Sequence, residues 1–408
     1  MKNMMRSILG LVIVSLGCAD IPDLPEVTFG TFCDRSELDY CDISTYDCQK
    51  RYADYLACLR EEEPMEPPPS RVITREDLGS DEDDDDDEDY ESFLNQFGEG
   101  VRHLFLHHGP AMLGDAADAR RRAGVGAFYS YIDKEMVFID SGGGFSGHVA
   151  ATTLAHELNH AYQDRRYDLT AYFENWGEHR YSDRSLALLS LVEGEARMYQ
   201  YMVSAALRGH DIWWDFETRW FELGDPSFGY SLMVDFVGLP YEAGHHWVQH
   251  LWYQGQMDAV AEAFASPPTT MAEIFTKPGT QPSDHVWHEP ITEDVELPDE
   301  LEGYELVSDS SLGVASIINS FLRAGTWATP REIADGWLGD RLFVYRHTEA
   351  NNYVALWRIR WRPELVDDQG VLGIEFYSSA DSWLVTTDFQ EMTIVAGAPE
   401  SEADFWQP

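Results

Sequence analysis

Apolar and polar positions along the chain fall into three regimes. From about residue 93 the pattern becomes that of a packed domain. Two alternating runs, "AFYSYID" and "KEMVFID", meet at a tight turn near Asp133 and Lys134 and predict an antiparallel hairpin. Apolar residues at helical spacing then predict helices over 148–164, 183–208 and 241–264. A Pro-rich "SPPTT" follows, and the acidic, Pro-containing stretch 291–303 reads as a linker. Beyond it the pattern is mainly of period two. "RLFVYRH", "NNYVALWRIRW" and "SWLVTTDFQEMTIVAG" read as strands, behind a helix at about 311–324. Upstream, "CDRSELDYCDISTYDCQKRYADYLACLREEE" (33–63) predicts a small helical module. "EPMEPPPS" breaks any helix there, and "RVITRED" reads as a strand. The run "SDEDDDDDEDYE" repels itself and reads as a solvated loop; it lacks the turn glycine and alternating ligands of a calcium loop. No internal repeat is present. The expected class is α+β, in five segments: 1–18, 19–70 (tether and helical module), 71–92 (strand and acidic loop), 93–290 and a β-rich 291–408.

Charge and cysteine usage narrow this picture. The 408 residues carry a formal net charge of -45, which repels phosphate and so argues against nucleic-acid or anionic-membrane partners. Such a surface suits a soluble monomer. Lys2 and Arg6 precede the short apolar run "ILGLVIVSLG", which is too short to span a bilayer and reads as an export signal. It ends in Ser15-Leu16-Gly17-Cys18, which resembles the lipobox of bacterial lipoproteins, although Ser15 departs from the usual aliphatic residue. That resemblance implies lipidation of Cys18, a membrane anchor and a place in the cell envelope; plain secretion is the alternative. Cys33, Cys41, Cys48 and Cys58 then remain for two disulfides with three possible pairings. A site with zinc on all four lacks any C-x2-C pair.

Candidate chemistry concentrates in "DSGGGFSGHVAATTLAHELNH" (140–160), where two motifs overlap. Gly142, Gly144 and Gly147 spell G-x-G-x-x-G, a dinucleotide fingerprint. It needs a second strand ending in an acid after the helix, and the following "AYQDRRYDLTAYFENWGEHRYSDR" shows none. His156, Glu157 and His160 spell H-E-x-x-H. On a helix the two imidazoles share one face and can bind one metal, with Glu157 able to reach a water there. A catalytic zinc takes three protein ligands. Glu193, set in the apolar "LALLSLVEGEARMYQYM", is the candidate third, because a carboxylate in such a run is costly unless bound or paired. An ion pair with Arg197 is the structural alternative.

An H-E-x-x-H helix followed by "LVEGEA" resembles the gluzincin superfamily of zinc peptidases. More closely, "LAHELNHAYQDRRYDL", "LVEGEA" and "LPYEAGHHWVQHLWYQGQMDAVAEAFASPPTTMAEIF" resemble an uncharacterised bacterial group that pairs HELxHAxQD, EG[DE]A and PYxxG motifs over roughly 120–290. "GWLGDRLFVY" (336–345) resembles that group's C-terminal β unit. The resemblance implies a gluzincin-like domain of a small antiparallel sheet plus active-site helices. It also implies one zinc per chain on His156, His160 and Glu193, with Glu157 as general base and Tyr241 as hydrogen-bond donor to the tetrahedral intermediate. It implies hydrolysis of a peptide or protein substrate, and "EMVFID" as the edge strand that aligns it. Two departures matter. Arg197 stands where thermolysin-like enzymes carry an Asp, so support behind the ligands is expected from Asp164 or Glu195. No G-x-M-x-N exopeptidase signature occurs, which favours an endopeptidase. His103, His107 and His108, the pair His246 and His250, and Trp213, Trp214 and Trp220 read as surface or packing residues, and His245 is a candidate cleft residue. The rival from another class is a catalytically silent surface lipoprotein with a relic metal site.

Overall fold

In the computed structural model the described residues are 33–77, 96–104, 126–140, 142–176, 183–209, 232–276, 288–289, 291–292, 303–324, 330–350, 352–363, 366–367, 370–371, 383–388 and 390–398. The export signal with Cys18, the acidic run, His107, His108, the three tryptophans 213, 214 and 220 and most of the 291–303 linker lie outside them. Residues 33–408 form one compact unit, so the boundaries expected at 70, 92 and 290 fall inside it.

The disulfide-stapled module contains one helix, α1 (Tyr46–Arg60), and the two predicted disulfides are Cys33–Cys58 and Cys41–Cys48. The helix stops at Glu61, which takes a left-handed conformation (φ 53°) so that its amide and that of Glu62 cap the carbonyls of Cys58 and Ala57. Pro-rich chain then leads into β1 (Ser70–Thr74).

The hairpin forms as the alternation predicts, with β2 (Ala127–Ser130) antiparallel to β3 (Glu135–Asp140). Its turn is held by Ser130 and Asp133, which exchange hydrogen bonds at 2.8 and 3.1 Å, and by Lys134 at φ 57°. β1 adds to β3 in parallel, pairing Arg71 with Val137 and Val72 with Phe138. Two expectations are corrected here. The sheet is mixed, in the order β1-β3-β2, and not purely antiparallel. "EMVFID" is its central strand, with Met136, Val137 and Phe138 fully buried, so the edge next to the site belongs to β2. The physical reason is non-local: a strand 66 residues upstream in register satisfies the backbone edge that β3 would otherwise expose.

Helices cover this sheet. α2 (His148–Tyr167) follows the glycine loop and buries residues on most of its circumference, from Ala151 to Asp164. It is a core helix rather than a half-solvated amphipathic one. After α3 (Leu169–Trp176) come α4 (Asp183–Leu207) and α5 (Leu232–Ala265). α5 begins nine residues before Tyr241 and runs through Pro240, so Tyr241 is interior to a helix and not at its first turn. Proline's fixed φ is helical; its cost is the missing amide, not an obligatory stop. Non-helical angles at Gly255 and Gln256 kink α5 near its end.

Short α6 (Met271–Phe275) leads to the C-terminal part. There β4 (Tyr304–Ser310), α7 (Gly313–Ala324), α8 (Pro330–Gly336), β5 (Trp337–His347), β6 (Tyr353–Trp361), the two-residue pair β7 (Val366–Asp367) and β8 (Gly370–Val371), β9 (Trp383–Asp388) and β10 (Glu391–Ala396) follow. The expected strands assemble as one antiparallel sheet, β4-β5-β6-β10-β9, with Trp337, Trp357 and Trp361 buried against it. Asp183, at the start of α4, accepts the amides of Met271 (2.9 Å) and Val314 (3.0 Å), tying the helical part to this sheet's helix. Among the described residues no helix is long and apolar enough to cross a membrane.

Candidate metal centre

α2 and α4 bring three ligand atoms together. His156 and His160, one turn apart on α2, place their Nε2 atoms 3.1 Å from each other. Glu193 Oε2, from α4, lies 3.1 Å from His156 Nε2 and 3.4 Å from His160 Nε2. These distances match a metal's needs: ligand bonds of about 2.0–2.1 Å at tetrahedral angles put ligand atoms about 3.3 Å apart. An ion seated on this triangle would have three protein ligands, the number that leaves a tetrahedral ion a fourth position. The three residues are the metal-capable group of the described part of the chain.

Without an ion the same three groups are coupled by charge. Burial opposes ionisation of Glu193, but the two imidazoles overcome it and hold the carboxyl well below its usual range. Burial alone would lower His160; the Glu193 carboxylate reverses this and lifts it to about 9. Glu157 is 8 % exposed, and burial raises its carboxyl despite both histidines. Its Oε2 accepts the Tyr129 amide of β2 at 2.9 Å, which fixes the carboxylate beside the triangle.

Tyr241 comes from the third helix. Its ring stacks on His156 with centroids 5.9 Å apart, and its hydroxyl bonds to Glu193. The Glu193 charge and burial push the phenol well above its usual range, so it stays a proton donor. What brings α5 this close is a pair of glycines. A Cβ on Gly244 would stand 2.0 Å from Ser190 O, and one on Gly194 would stand 2.3 Å from Gly244 C. The glycines of "VEGEA" and "PYEAG" are therefore the two sides of one helix contact, and Gly244 serves packing rather than substrate room.

Of the supports expected behind His160, Glu195 reaches it through one intervening residue, while Asp164 is bonded elsewhere. Asp164 instead accepts from Tyr129 Oη (2.7 Å), Lys134 Nζ (2.7 Å) and the Leu169 amide (3.0 Å). The residue on His160 is Gln163, whose Oε1 accepts from Nδ1 at 2.7 Å. Glu195 stands one step further back, accepting from Gln163 Nε2 at 2.8 Å. Gln163 and Asp164, three and four residues after His160, both lie near its helix face, about 60° and 40° round the helix; partners from other elements decide between them, Tyr129 and Lys134 holding Asp164, and Glu195 and Val192 holding Gln163. Arg60, which completes this network from α1, carried no local signal at all.

The remaining candidates separate cleanly. Arg197 donates to Gln200 Oε1 at 2.9 Å and lies over the Tyr201 ring, while Glu193 Oε2 faces the histidines. His245 is 5 % exposed and packs on Tyr201, with centroids 4.8 Å apart. Gly142, Gly144 and Gly147 all take left-handed φ (77°, 77° and 111°), but the helix after them leads into α3 and not into a parallel strand. The loop is an entry turn to α2. The chain matches no protein family, no curated protein and no solved structure.

Proposed function

We propose that the protein is an exported zinc-dependent endopeptidase of gluzincin type, anchored to the cell envelope by lipidated Cys18. The observation that carries this reading is the placement of a buried carboxylate, Glu157, and a neutral phenol, Tyr241, next to the triangle His156, His160 and Glu193. A zinc ion on that triangle supplies Lewis acidity and brings the pKa of a water towards about 7. Glu157, whose affinity for a proton is raised by burial, takes the proton of the attacking water and returns it to the leaving amine. Tyr241 donates its hydroxyl hydrogen to the oxygen that becomes negative at the scissile carbon. The substrate backbone pairs with β2. In its register with β3, Ala127 and the Tyr129 carbonyl face outward for this pairing, while the Tyr129 amide is taken by Glu157. Two disulfides accord with an oxidising compartment.

The test uses the full chain, with zinc analysis and hydrolysis of a casein-type unfolded protein. Glu157→Gln should retain one zinc per chain and lose roughly 10²–10⁴-fold in hydrolysis. Unchanged hydrolysis in that variant sinks the mechanism. A zinc-loaded parent that cleaves nothing favours the silent lipoprotein.

A further inference from the structure

We propose that Arg60, in the disulfide-stapled module, is a positioning residue of the metal centre, acting on His160 through Glu195 and Gln163. The inference rests on the metal-site reading above. Arg60 is the last residue of α1, two positions beyond Cys58, and its side chain has no exposed surface. Its Nη1 donates to Glu195 Oε1 at 3.0 Å and to Asn159 Oδ1 at 2.5 Å. Its Nε donates to Glu62 Oε1 at 3.1 Å, and Glu62 also accepts from Arg165 and Arg166 at the end of α2. The guanidinium lies within 5.4 Å of the Tyr162 ring and 5.0 Å of the Tyr199 ring.

The consequence follows from which groups can donate. An amide side chain has one donating and one accepting end, and it can be seated either way round. Gln163 Nε2 faces Glu195 Oε2 and the Val192 carbonyl, both at 2.8 Å and both acceptors. Reversed, it would set oxygen against oxygen twice. Its Oε1 is therefore committed to His160 Nδ1. With a metal on Nε2, which then carries no proton, that bond would place the remaining His160 proton on Nδ1 and aim Nε2 at the ion. Glu195 can hold the amide only while its own carboxylate is held, and Arg60 pins Oε1 so that Oε2 meets Gln163. The Cys33–Cys58 bond fastens the turn that carries Arg60; Cys41–Cys48 closes the other end of α1.

The test is zinc affinity of the full chain, by competition with a chromophoric chelator well below each variant's melting temperature. Arg60→Met and Gln163→Met should each weaken zinc binding by about 10–100-fold. The double variant should be no weaker than the weaker single one, because both act on one bond to His160. Additive losses, or wild-type affinity in Arg60→Met, overturn the proposal. If Arg60→Met does not fold, Arg60→Lys, which keeps the charge but not the fork, should fold and bind zinc measurably more weakly than the parent; parental affinity there overturns it. Replacing Cys33 and Cys58 by Ser should weaken zinc binding, and replacing Cys41 and Cys48 should not; equal effects overturn the disulfide link. A parent chain that binds no zinc removes the metal reading and this inference together. A zinc-binding chain without peptidase activity leaves the inference standing.

Discussion

Gly244→Ala probes how tightly the third helix is held against the metal centre. The added Cβ would stand 2.0 Å from Ser190 O, where ordinary contact begins at 3.4 Å. The helices must then separate by about 1.4 Å, a strain of the kind that costs about 1–3 kcal/mol. α4 is the fixed partner, since Gln163 of α2 bonds to its Val192 carbonyl and Arg60 to its Glu195. The displacement therefore falls on α5, and Tyr241 lies three residues before Gly244 on that helix. A misplacement of about 1 Å in a reacting constellation can cost roughly 10²-fold in rate. Zinc should stay bound, because α5 supplies none of His156, His160 and Glu193. Thermal unfolding should move down by roughly 1–4 °C. Gly194→Ala should mirror it, its Cβ meeting Gly244 C at 2.3 Å. The assays are calorimetry, zinc content and hydrolysis of an unfolded protein. A Gly244→Ala protein with parental melting temperature and hydrolysis within about threefold of the parent would refute the reasoning.

Tyr241→Phe removes one oxygen and little volume; it should lower hydrolysis by about 10²-fold with zinc content intact, and parental turnover would demote Tyr241 to a packing role against His156. Glu193→Ala and Glu195→Ala should separate by zinc titration and thermal melts. The first should empty the site. The second should weaken zinc by only about 10–100-fold but destabilise the fold by about 3–5 kcal/mol, because it strands the buried Arg60. The reverse order of zinc loss would exchange the two residues' roles.

What was legible in the sequence is what a single helix or hairpin decides by itself. His156 and His160 follow from a spacing of four, and Glu193 from a carboxylate inside an apolar run, and the structure sets the three side by side. The turn at Asp133 and Lys134 follows from alternation that changes direction within a few residues. What was not legible needs a partner from far away. Nothing in "SRVIT" announces a parallel seat beside "MVFID", and without it β3 reads as an edge. Asp164 and Gln163 both lie near the His160 face of the helix, and only partners from other elements, Lys134 on the one and Glu195 on the other, decide which meets the imidazole. The helix expected from 241 in fact begins at Leu232 and carries Pro240 inside it, because the cost of that proline is one missing amide and not a stop. Arg60 is the extreme case: an arginine before "EEE" reads as solvated, and only the fold shows it fully buried against Glu195, 135 residues on.

The buried Arg60 also changes what counts as a domain. Residues 33–60 are too few to bury a core of their own. The helix there has Tyr52, Ala53 and Leu56 fully buried, Tyr162 of α2 donates to the Ala53 carbonyl at 2.9 Å, and the Ile43 amide reaches the Phe145 carbonyl of the glycine loop at 2.9 Å. Its two disulfides supply the order that such a short segment cannot supply by packing; by chain entropy the longer one, spanning 25 residues, contributes about 3 kcal/mol or somewhat more. A cut at residue 92 would therefore not release an independent catalytic domain. It would strip β1 from β3, uncover Phe138 and its neighbours, and leave the Glu195 carboxylate buried without its cation. The stapled segment packs on the helix that carries the candidate metal ligands, and the Cys33–Cys58 disulfide lies two residues from the arginine buried behind them.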